Sequence, residues 1–487
     1  METVYKNENL RLWQVLIGLV LLTKVVLMAF WFSVTHDEVS TIMVHPNRTF
    51  WDIITYETNS IPNNHILNTL CIRVMTYTFG VTVFFSRLPN MLGFLLGFYF
   101  GIRLLRLLSA SQWYAVLLGI ALLFVNCYYL EFCALARGYA MSVNLVIVSL
   151  YYAYEYTSRE KLSALIWSLF WAILSVWANF TALHYYLTLL VFYFVVIVFH
   201  DKGVKRKIWD LSVMGISMVI IAFECYLPIT RMRAHDEFRF YGSKGFYDDT
   251  LITLLKGSFN GTNYGSDFPT VVVIIYLLLT TICITSSYFL IRKYVKNLKH
   301  PLVFTTFMLV FTALSTISQF HLLGVNYLTG RTALIFIPLF AFMLSSALSY
   351  FVLRNKKIKA VSIFAAIVLI TFWSVHFVRS IHVKSTYDWW YEKNTLEMIA
   401  CLKQEYQDQK RCEPMSLGTN WLFQPALSFY IENGNCDLWI TPVPYQKELS
   451  NDGRYEYVYI EANQLDDFKD KYSEIKRFDM GILMKRK

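Results

Sequence analysis

The feature that most constrains this chain is a series of about eleven apolar stretches, most of them close to the roughly 20 residues that cross a bilayer as a helix. They lie at about 12–33, 88–108, 112–130, 138–154, 162–178, 182–199, 208–228, 269–291, 301–320, 332–351 and 358–380. Hydrophobic residues make up 56% of the 487-residue chain and charged residues only 16%, whereas soluble proteins carry about 25% charged residues. The sequence therefore predicts an all-α polytopic membrane protein.

The basic residues indicate the sidedness of these helices. They cluster in alternate connections, at Arg103/Arg106, Arg159/Lys161, Lys202/Lys205/Arg206/Lys207, Arg292/Lys293/Lys296/Lys299 and Arg354/Lys356/Lys357/Lys359. Cytoplasmic connections are the ones rich in Lys and Arg, so we expect a cytoplasmic N-terminus. Polar segments 34–87, 229–268 and 381–487 then all lie outside. Because these charges report topology, the net charge of +10 predicts no nucleic-acid partner.

The topology depends on whether a weaker apolar stretch at 66–85 counts as one more membrane crossing. If it crossed the membrane, the positive clusters would fall on the wrong side, so we interpret it as a juxtamembrane helix within the first outer loop. The alternative is an ordinary span with the N-terminus on the opposite side. On the preferred topology, residues 1–380 form the membrane module and residues 381–487 form a small soluble extracytoplasmic domain.

The C-terminal segment 381–487 has the pattern of an α/β domain. Residues 386–406 and 421–432 look helical, while Tyr455–Glu461 and Ile475–Met484 alternate like strands. Three of the eight cysteines, Cys401, Cys412 and Cys436, lie in this polar part of the chain. One pair of them could form a disulfide outside the cytoplasm, but their spacing does not identify it.

Polar residues that could carry chemistry follow the first apolar stretch. His36, Asp37 and Glu38 come where the first span would emerge, and Asn64 and His65 lie in the same predicted outer loop. A solvated helix end is the structural explanation for such acids. The chemical explanation is that a carboxylate beside the membrane acts as a general base.

Three arginines lie near the predicted outer face of the membrane: Arg87, just before Leu88-Pro89, and Arg137 and Arg331, which stand out because their flanks are otherwise largely apolar. A guanidinium at this depth favours an anion, and its fork of donors suits a phosphate. The alternative for each arginine is a side chain that extends to the lipid headgroups. One carboxylate together with such arginines suggests transfer of a sugar from a lipid phosphate to a hydroxyl group.

Four short motifs in a fixed order carry a resemblance to a known family. They are Asp37-Glu38, Pro62-Asn63-Asn64-His65-Ile66-Leu67, Arg87-Leu88-Pro89-Asn90-Met91-Leu92-Gly93-Phe94 and Ala136-Arg137-Gly138-Tyr139-Ala140. Their order and spacing resemble the GT-C superfamily of polytopic glycosyltransferases, in the branch of the protein O-mannosyltransferases and the bacterial transferase that adds aminoarabinose to lipid A. The motif resemblance covers roughly residues 12–200, and the rest of the chain shares only the general layout.

The resemblance implies roles for individual residues. Asp37 falls on the first-loop acid and is expected to be the general base, with Glu38 positioning it or partly substituting for it. Arg137 matches the arginine of the family's Arg-x-Tyr motif, with Tyr139 as its tyrosine, and is expected near the lipid phosphate. The family's His-Pro-Pro-Leu is here Asn-Asn-His-Ile-Leu, so that His65 and Asn64 are expected to position the substrate in a loop of altered shape.

The function predicted on this basis is a glycosyltransferase at the extracytoplasmic face of a bacterial inner membrane. It would move a monosaccharide from a polyprenyl-phosphate donor to a hydroxyl group on a protein, lipid or polysaccharide, with inversion at the anomeric carbon. Arg87, Arg137 and Arg331 would bind the donor phosphate. The sequence leaves two rivals, a transporter or flippase for a lipid-linked or anionic solute and a non-catalytic assembly factor.

A metal ion is a separate question. His36 and Asp37 could join His235, Asp236 and Glu237 as nitrogen and oxygen ligands. A donor with a single phosphate does not require a divalent cation if arginines balance its charge. We therefore predict that the reaction needs no metal and no other cofactor.

Overall fold

The structure is a computed structural model that describes residues 2–58, 62–199, 203–239, 242–294, 298–354, 356–434 and 439–487. Helices dominate the first 380 residues. They are α1 Glu2–Trp31, α2 His36–Val39, α3 Phe50–Thr55, α4 Ile66–Phe79, α5 Val83–Leu108, α6 Trp113–Phe124, α7 Cys127–Cys133, α8 Gly138–Arg159, α9 Leu162–Ala178, α10 Leu183–Phe199, α11 Val204–Ala234, α12 Thr253–Ser258, α13 Phe268–Lys293, α14 Pro301–Leu323, α15 Phe336–Arg354 and α16 Lys356–Arg379. Two π-helical turns, Ser40–Val44 and Phe246–Ile252, precede a 3₁₀ turn at His45–Asn47 and helix α12, respectively.

Eight helices of the described residues are long and apolar enough to cross a membrane. They are Leu12–Trp31, Val83–Leu108, Phe180–Phe199, Val204–Ala234, Phe268–Lys293, Pro301–Leu323, Phe336–Arg354 and Lys357–Arg379. A ninth results if α6 and α7, which meet at a bend of 62°, form one broken span. The chain is thus a multi-pass integral membrane protein, while the count of eleven spans remains a prediction.

Helix α8 shows why hydropathy alone does not settle the count. Its side chains are buried along almost the whole length, and its polar residues bond to neighbouring helices. Ser142 donates to the carbonyl oxygen of Ser175 at 2.8 Å, and Ser149 donates to that of Ser168 at 2.8 Å. A helix surrounded by protein can carry such residues because each has a hydrogen-bonding partner.

The weak apolar stretch forms α4, a helix of only 14 residues. At 1.5 Å per residue it is about 21 Å long, which is shorter than the roughly 30 Å of a hydrocarbon core. The helix ends before Gly80, whose φ of +79° favours glycine. Its length agrees with the interpretation as a juxtamembrane helix.

The C-terminal segment forms a four-stranded sheet with helices. The strands are β1 Leu417–Thr419, β2 Tyr457–Glu461, β3 Tyr472–Arg477 and β4 Gly481–Arg486, in the order β1-β2-β4-β3. Its helices are α17 Thr395–Asp408, α18 Gln424–Asn433 and α19 Leu465–Phe468. β1 and β2 are parallel, and the other pairs are antiparallel. Strand β2 is buried on both faces, with Tyr457 and Tyr459 in one apolar cluster and Val458 and Ile460 in the other.

Two details of the predicted tail are wrong. The stretch Ile475–Met484 is not one strand, because a turn separates β3 from β4 and the N–H of Phe478 donates to the carbonyl oxygen of Gly481 at 2.8 Å. The helix predicted at 386–406 begins only at Thr395, after a 3₁₀ turn at Trp390–Asn394. Cys401 and Cys412 are free thiols, and Cys436 lies outside the described residues.

Packing divides the chain into two compact units. The first, which we call the membrane unit, contains Met1–Val26, Thr49–Cys71 and Arg87–Ile381. The second, which we call the tail unit, contains His382–Lys487 together with Leu27–Arg48 and Ile72–Ser86. Two segments of the predicted first outer loop thus pack with the C-terminal segment.

Candidate functional site

In the tail unit, Asp37 and Glu38 lie on a short capped helix directly after α1. Thr35 is the N-cap of α2, and its hydroxyl oxygen accepts from the backbone N–H of Glu38 at 3.3 Å. The Glu38 carboxylate in turn accepts from the N–H of Thr35 at 3.0 Å. This reciprocal capping box fixes the backbone on both sides of Asp37.

The capping box gives the two acids different surroundings. Glu38 is fully buried and holds the turn together, whereas Asp37 is half-buried. One carboxyl oxygen of Glu38 is already engaged as a cap and the residue is fully buried, so a substrate hydroxyl would reach it less readily than it would reach Asp37. The geometry therefore favours Asp37 as the reactive acid and assigns Glu38 a structural contact; both roles remain predictions.

In the membrane unit, two predicted arginines converge on one tyrosine. The guanidinium carbon of Arg137 lies 5.5 Å from the ring centroid of Tyr139, and that of Arg331 lies 5.9 Å from it. The Nε–H of Arg331 also donates to the Tyr139 hydroxyl at 3.2 Å. We call these three residues, together with His65, the Tyr139 cluster.

The local sequence explains how Arg137 reaches this position. Arg137 is the N-cap residue of α8 with extended backbone angles, and Gly138 begins the helix. A Cβ atom on Gly138 would lie 2.0 Å from the carbonyl oxygen of Ala178 and 2.6 Å from the Cβ of His65. Only glycine permits this approach, which brings His65 to the start of α8. The His65 and Tyr139 rings meet edge to face at 4.7 Å between centroids.

The loop that carries His65 is tied down by polar contacts. The Asn64 amide donates to the carbonyl oxygen of Ile53 at 2.8 Å and accepts from the Thr69 hydroxyl at 3.0 Å. The hydroxyl of Tyr56 donates to the Asn64 carbonyl oxygen, and burial raises the pKa of Tyr56. These contacts order the loop; a substrate-positioning role for Asn64 stays a prediction.

Arg137 is buried within protein rather than directed at lipid. Only 1% of its surface is exposed, and its Nη1 donates to the carbonyl oxygen of Asn63 at 3.2 Å. A side chain that extends to headgroups would be exposed on the outside of the helix bundle. This burial argues against the headgroup alternative for Arg137.

The third predicted arginine, Arg87, is also fully buried. It lies on α5, one turn before Asn90, whose amide donates to the side-chain oxygen of Asn68 at 2.7 Å. The amide of Asn68 donates to the carbonyl oxygen of Ala136 at 3.1 Å. This chain of amides, of which the sequence analysis missed Asn68, links the Arg87 motif to the residue before Arg137.

The 229–268 segment, for which the family resemblance offers no counterpart, supports Arg331. The N–H of Gly330 donates to the Thr253 hydroxyl at 2.7 Å, and the Thr250 hydroxyl donates to the carbonyl oxygen of Leu328 at 2.8 Å. Gly330 has a φ of +47°, a region that favours glycine. The loop before Arg331 is therefore shaped by a segment that the family resemblance left without a counterpart.

The membrane unit also contains an apolar cavity between four helices. Its lining includes Leu118 of α6, Ile275 of α13, Leu344 of α15 and Leu369 of α16. A cavity with this lining suits a hydrocarbon chain.

The predicted site residues thus form two groups. Arg87, Arg137, Arg331, Asn64, His65 and Tyr139 belong to the membrane unit, and Asp37 and Glu38 belong to the tail unit. Among the residues that the structure describes, no group of three or more His, Cys, Asp or Glu side chains could hold a metal ion. Metal independence stays a prediction.

No family model matches the sequence, and no curated protein matches it significantly. Solved structures do: the chain has an ArnT-like fold, which confirms the fold that the four motifs predicted. The chain is similar to ArnT from Cupriavidus metallidurans in the apo state, with 10% sequence identity, alignment over 98% of both chains and a TM-score of 0.53.

Two further structures match more loosely. ArnT from Cupriavidus metallidurans bound to undecaprenyl phosphate has 11% identity over 97% of both chains, with a TM-score of 0.48. The Archaeoglobus fulgidus oligosaccharyltransferase, tethered with an acceptor peptide containing the NVT sequon, has 12% identity over 95% of this chain and 72% of that chain, with a TM-score of 0.44.

Proposed function

We propose that this protein is a glycosyltransferase that moves a monosaccharide from a polyprenyl-phosphate donor to an acceptor hydroxyl at the extracytoplasmic face of a bacterial inner membrane. The observation that carries the proposal is the convergence of Arg137 and Arg331 on Tyr139. Two guanidinium groups and a hydroxyl in one place provide donors and positive charge for a phosphate.

The proposed reaction is a direct displacement. The Asp37 carboxylate takes the proton of the acceptor hydroxyl as its oxygen bonds to the anomeric carbon. The bond from that carbon to the phosphate oxygen breaks, and polyprenyl phosphate leaves with the bonding electrons. Arg137 and Arg331 stabilise the negative charge that develops on the leaving phosphate. A single displacement inverts the anomeric configuration.

The lipid part of the donor accounts for a catalyst within a membrane. The apolar cavity between α6, α13, α15 and α16 would accommodate part of a prenyl chain. With arginines to balance a single phosphate, the reaction would proceed without a divalent cation. The acceptor would be a protein, a lipid or a polysaccharide that presents a hydroxyl group.

Purified protein in lipid nanodiscs tests this function. We expect the wild type to release undecaprenyl phosphate from one member of a panel of undecaprenyl-phosphate monosaccharides when a suitable acceptor is present, as measured by mass spectrometry. Asp37→Asn should reduce release by about a hundred- to ten-thousandfold, the range typical of losing a general base that acts in the transition state, while undecaprenyl phosphate still binds.

The control is Asp479→Asn, which changes an aspartate between β3 and β4 in the tail. Its carboxylate pairs with Lys393 and is exposed. Substantial transfer by Asp37→Asn would refute Asp37 as the base. If the wild type bound undecaprenyl phosphate but transferred no sugar, a transporter would be favoured. If EDTA abolished transfer, the predicted metal independence would be overturned.

A further inference from the structure

The turn that carries Asp37 is attached to the C-terminal part of the tail unit. The backbone N–H of Val34, a fully buried residue, donates to the hydroxyl oxygen of Tyr430 at 2.8 Å. Tyr430 lies in α18, and the two residues are 396 positions apart in sequence. Because a buried N–H without a partner is costly, this bond fixes the chain just before α2, the helix that carries Asp37.

A second attachment involves the residue next to Asp37. The Nδ1 atom of His36 lies 3.4 Å from the carbonyl oxygen of Leu422, and the His36 ring meets the indole of Trp421 edge to face at 5.5 Å. Met43 follows α2 in the chain, and its sulfur lies 3.4 Å from the side-chain amide of Asn433. Segment 421–433 therefore contacts the chain on both sides of Asp37.

A third observation concerns Glu392, a buried acid whose electrostatic environment includes Glu38. Glu392 of the tail unit is almost completely buried; one carboxyl oxygen accepts from the Thr395 hydroxyl at 2.7 Å and the other has no hydrogen-bond partner among the described residues. Burial raises the pKa of Glu392 well above its ordinary value, and the nearby charge of Glu38 raises it further against the opposing effect of Thr395. Glu392 therefore stays protonated to higher pH than an exposed glutamate does.

We propose that the C-terminal segment is a positioning part of the active site, in which Tyr430 and Trp421 hold the turn that presents Asp37. The inference rests on the proposed function in one respect only, the role of Asp37. It assigns the soluble segment a task in catalysis itself, in place of acceptor capture or simple anchoring. Tyr430 and Trp421 would be positioning residues because they act through the Asp37 turn.

Two measurements on the full-length protein in nanodiscs test this inference. The first is hydrogen–deuterium exchange of peptides that cover residues 33–44. Tyr430→Phe removes the acceptor of the Val34 N–H and keeps the ring, so exchange in these peptides should rise severalfold. Tyr445→Phe is the matched control, because Tyr445 is 68% exposed in the same segment and its hydroxyl should not matter.

The second measurement is steady-state kinetics with the undecaprenyl-phosphate sugar. Tyr430→Phe should lower kcat roughly tenfold, since displacement of a reacting group by even 1 Å costs up to about a hundredfold. KM for the donor should stay within about twofold of the wild-type value. When Tyr430→Phe is added to Asp37→Asn, kcat should fall no further. Trp421→Ala should give the same pattern if Tyr430→Phe is poorly expressed.

The outcomes separate this inference from the proposed function. Unchanged exchange at 33–44 in both Tyr430→Phe and Trp421→Ala would overturn positioning, whatever Asp37 does. Raised exchange together with an active Asp37→Asn would preserve the attachment and overturn Asp37 as the base. Additive losses in the double variant would show that Tyr430 acts elsewhere and would also overturn the inference.

Discussion

The Tyr139 cluster and the Asp37 turn illustrate two ways of positioning the residues proposed to form a site. In the Tyr139 cluster, the two arginines proposed to bind the ligand each contact one tyrosine, Tyr139. In the Asp37 turn, the acid proposed to react lies on a helix held by backbone groups, a capping carboxylate and aromatic residues almost 400 positions further along the chain. A charged residue within an apolar stretch can be recognised from the sequence alone. A contact made by a backbone group cannot.

The largest effect that would sharpen the comparison between the Tyr139 cluster and the Asp37 turn is expected when Arg137 or Arg331 is replaced. Arg137→Ala and Arg331→Ala each remove a charge-assisted contact worth about 1.5–3 kcal/mol, so each should weaken binding of undecaprenyl phosphate by about ten- to hundredfold. Binding is measured by native mass spectrometry or by fluorescence quenching in nanodiscs. Asp37→Asn should bind almost as tightly as the wild type, because its loss belongs to the chemical step.

Arg103→Ala is the matched control for these variants. The Arg103 guanidinium also lies over tyrosine rings, at 5.5 Å from Tyr99 and 4.8 Å from Tyr151, but on an exposed side chain outside the Tyr139 cluster. If Arg137→Ala and Arg331→Ala bound undecaprenyl phosphate as well as the control Arg103→Ala, the phosphate site would have to be sought elsewhere.

An intermediate effect is expected at Glu38, where two variants distinguish capping from chemistry. Glu38→Gln keeps an oxygen that can accept from the Thr35 N–H, so the capping box survives and kcat should fall only a few-fold. Glu38→Ala loses the half of the capping box that accepts the Thr35 N–H, at a cost of about 1–3 kcal/mol for leaving that buried N–H unpaired, and should lower kcat roughly tenfold through misplacement of Asp37.

Equal and severe losses in Glu38→Gln and Glu38→Ala would contradict this assignment. They would mean that the charge of Glu38 matters more than its hydrogen bond, as expected for a second acid that partly substitutes for Asp37. The comparison is made at equal protein amounts, with exchange of residues 33–44 as the measure of helix capping.

The sequence predicts a good part of this molecule because lipid imposes simple rules. Helices of the right length are recognisable from hydropathy, and arginines in apolar flanks such as Arg137 and Arg331 are conspicuous because burying a charge needs a reason. The motif order also led to the correct fold. The pairing of Arg331 with Tyr139 follows from neither hydropathy nor spacing, because the two residues are 192 positions apart.

The parts that sequence reasoning missed depend on contacts between polar segments. The β3–β4 turn interrupts an alternating pattern that resembles one strand, since so short a turn barely disturbs a period of two. Glu392 lies in a stretch of charged and aromatic residues that resembles a solvated helix, and only tertiary packing makes it a buried acid. The attachment of Val34 to Tyr430 uses a backbone N–H, which leaves no trace in the residue types.

The smallest expected effect concerns Glu392, and it is an effect on stability rather than on turnover. Because the folded protein holds the pKa of Glu392 above its ordinary value, the folded state binds the proton more tightly than the unfolded chain. Stability from this group is present below about pH 4.5 and is lost as pH rises towards the folded-state pKa. Gln cannot ionise and can still accept from Thr395, so Glu392→Gln should avoid this loss.

Glu392→Gln should therefore raise the apparent Tm of the full-length protein by about 2–5 °C at pH 8 and by much less at pH 5, as followed by intrinsic fluorescence in detergent. Glu448→Gln, an exposed acid of the same segment, should change Tm at neither pH. A lower Tm of Glu392→Gln than of the wild type at pH 8 would mean that Glu392 is ionised in the folded protein and is stabilised by a cation. The neutral buried acid would then have to be abandoned, while the contacts of Tyr430 and Trp421 with the chain around Asp37 would stand.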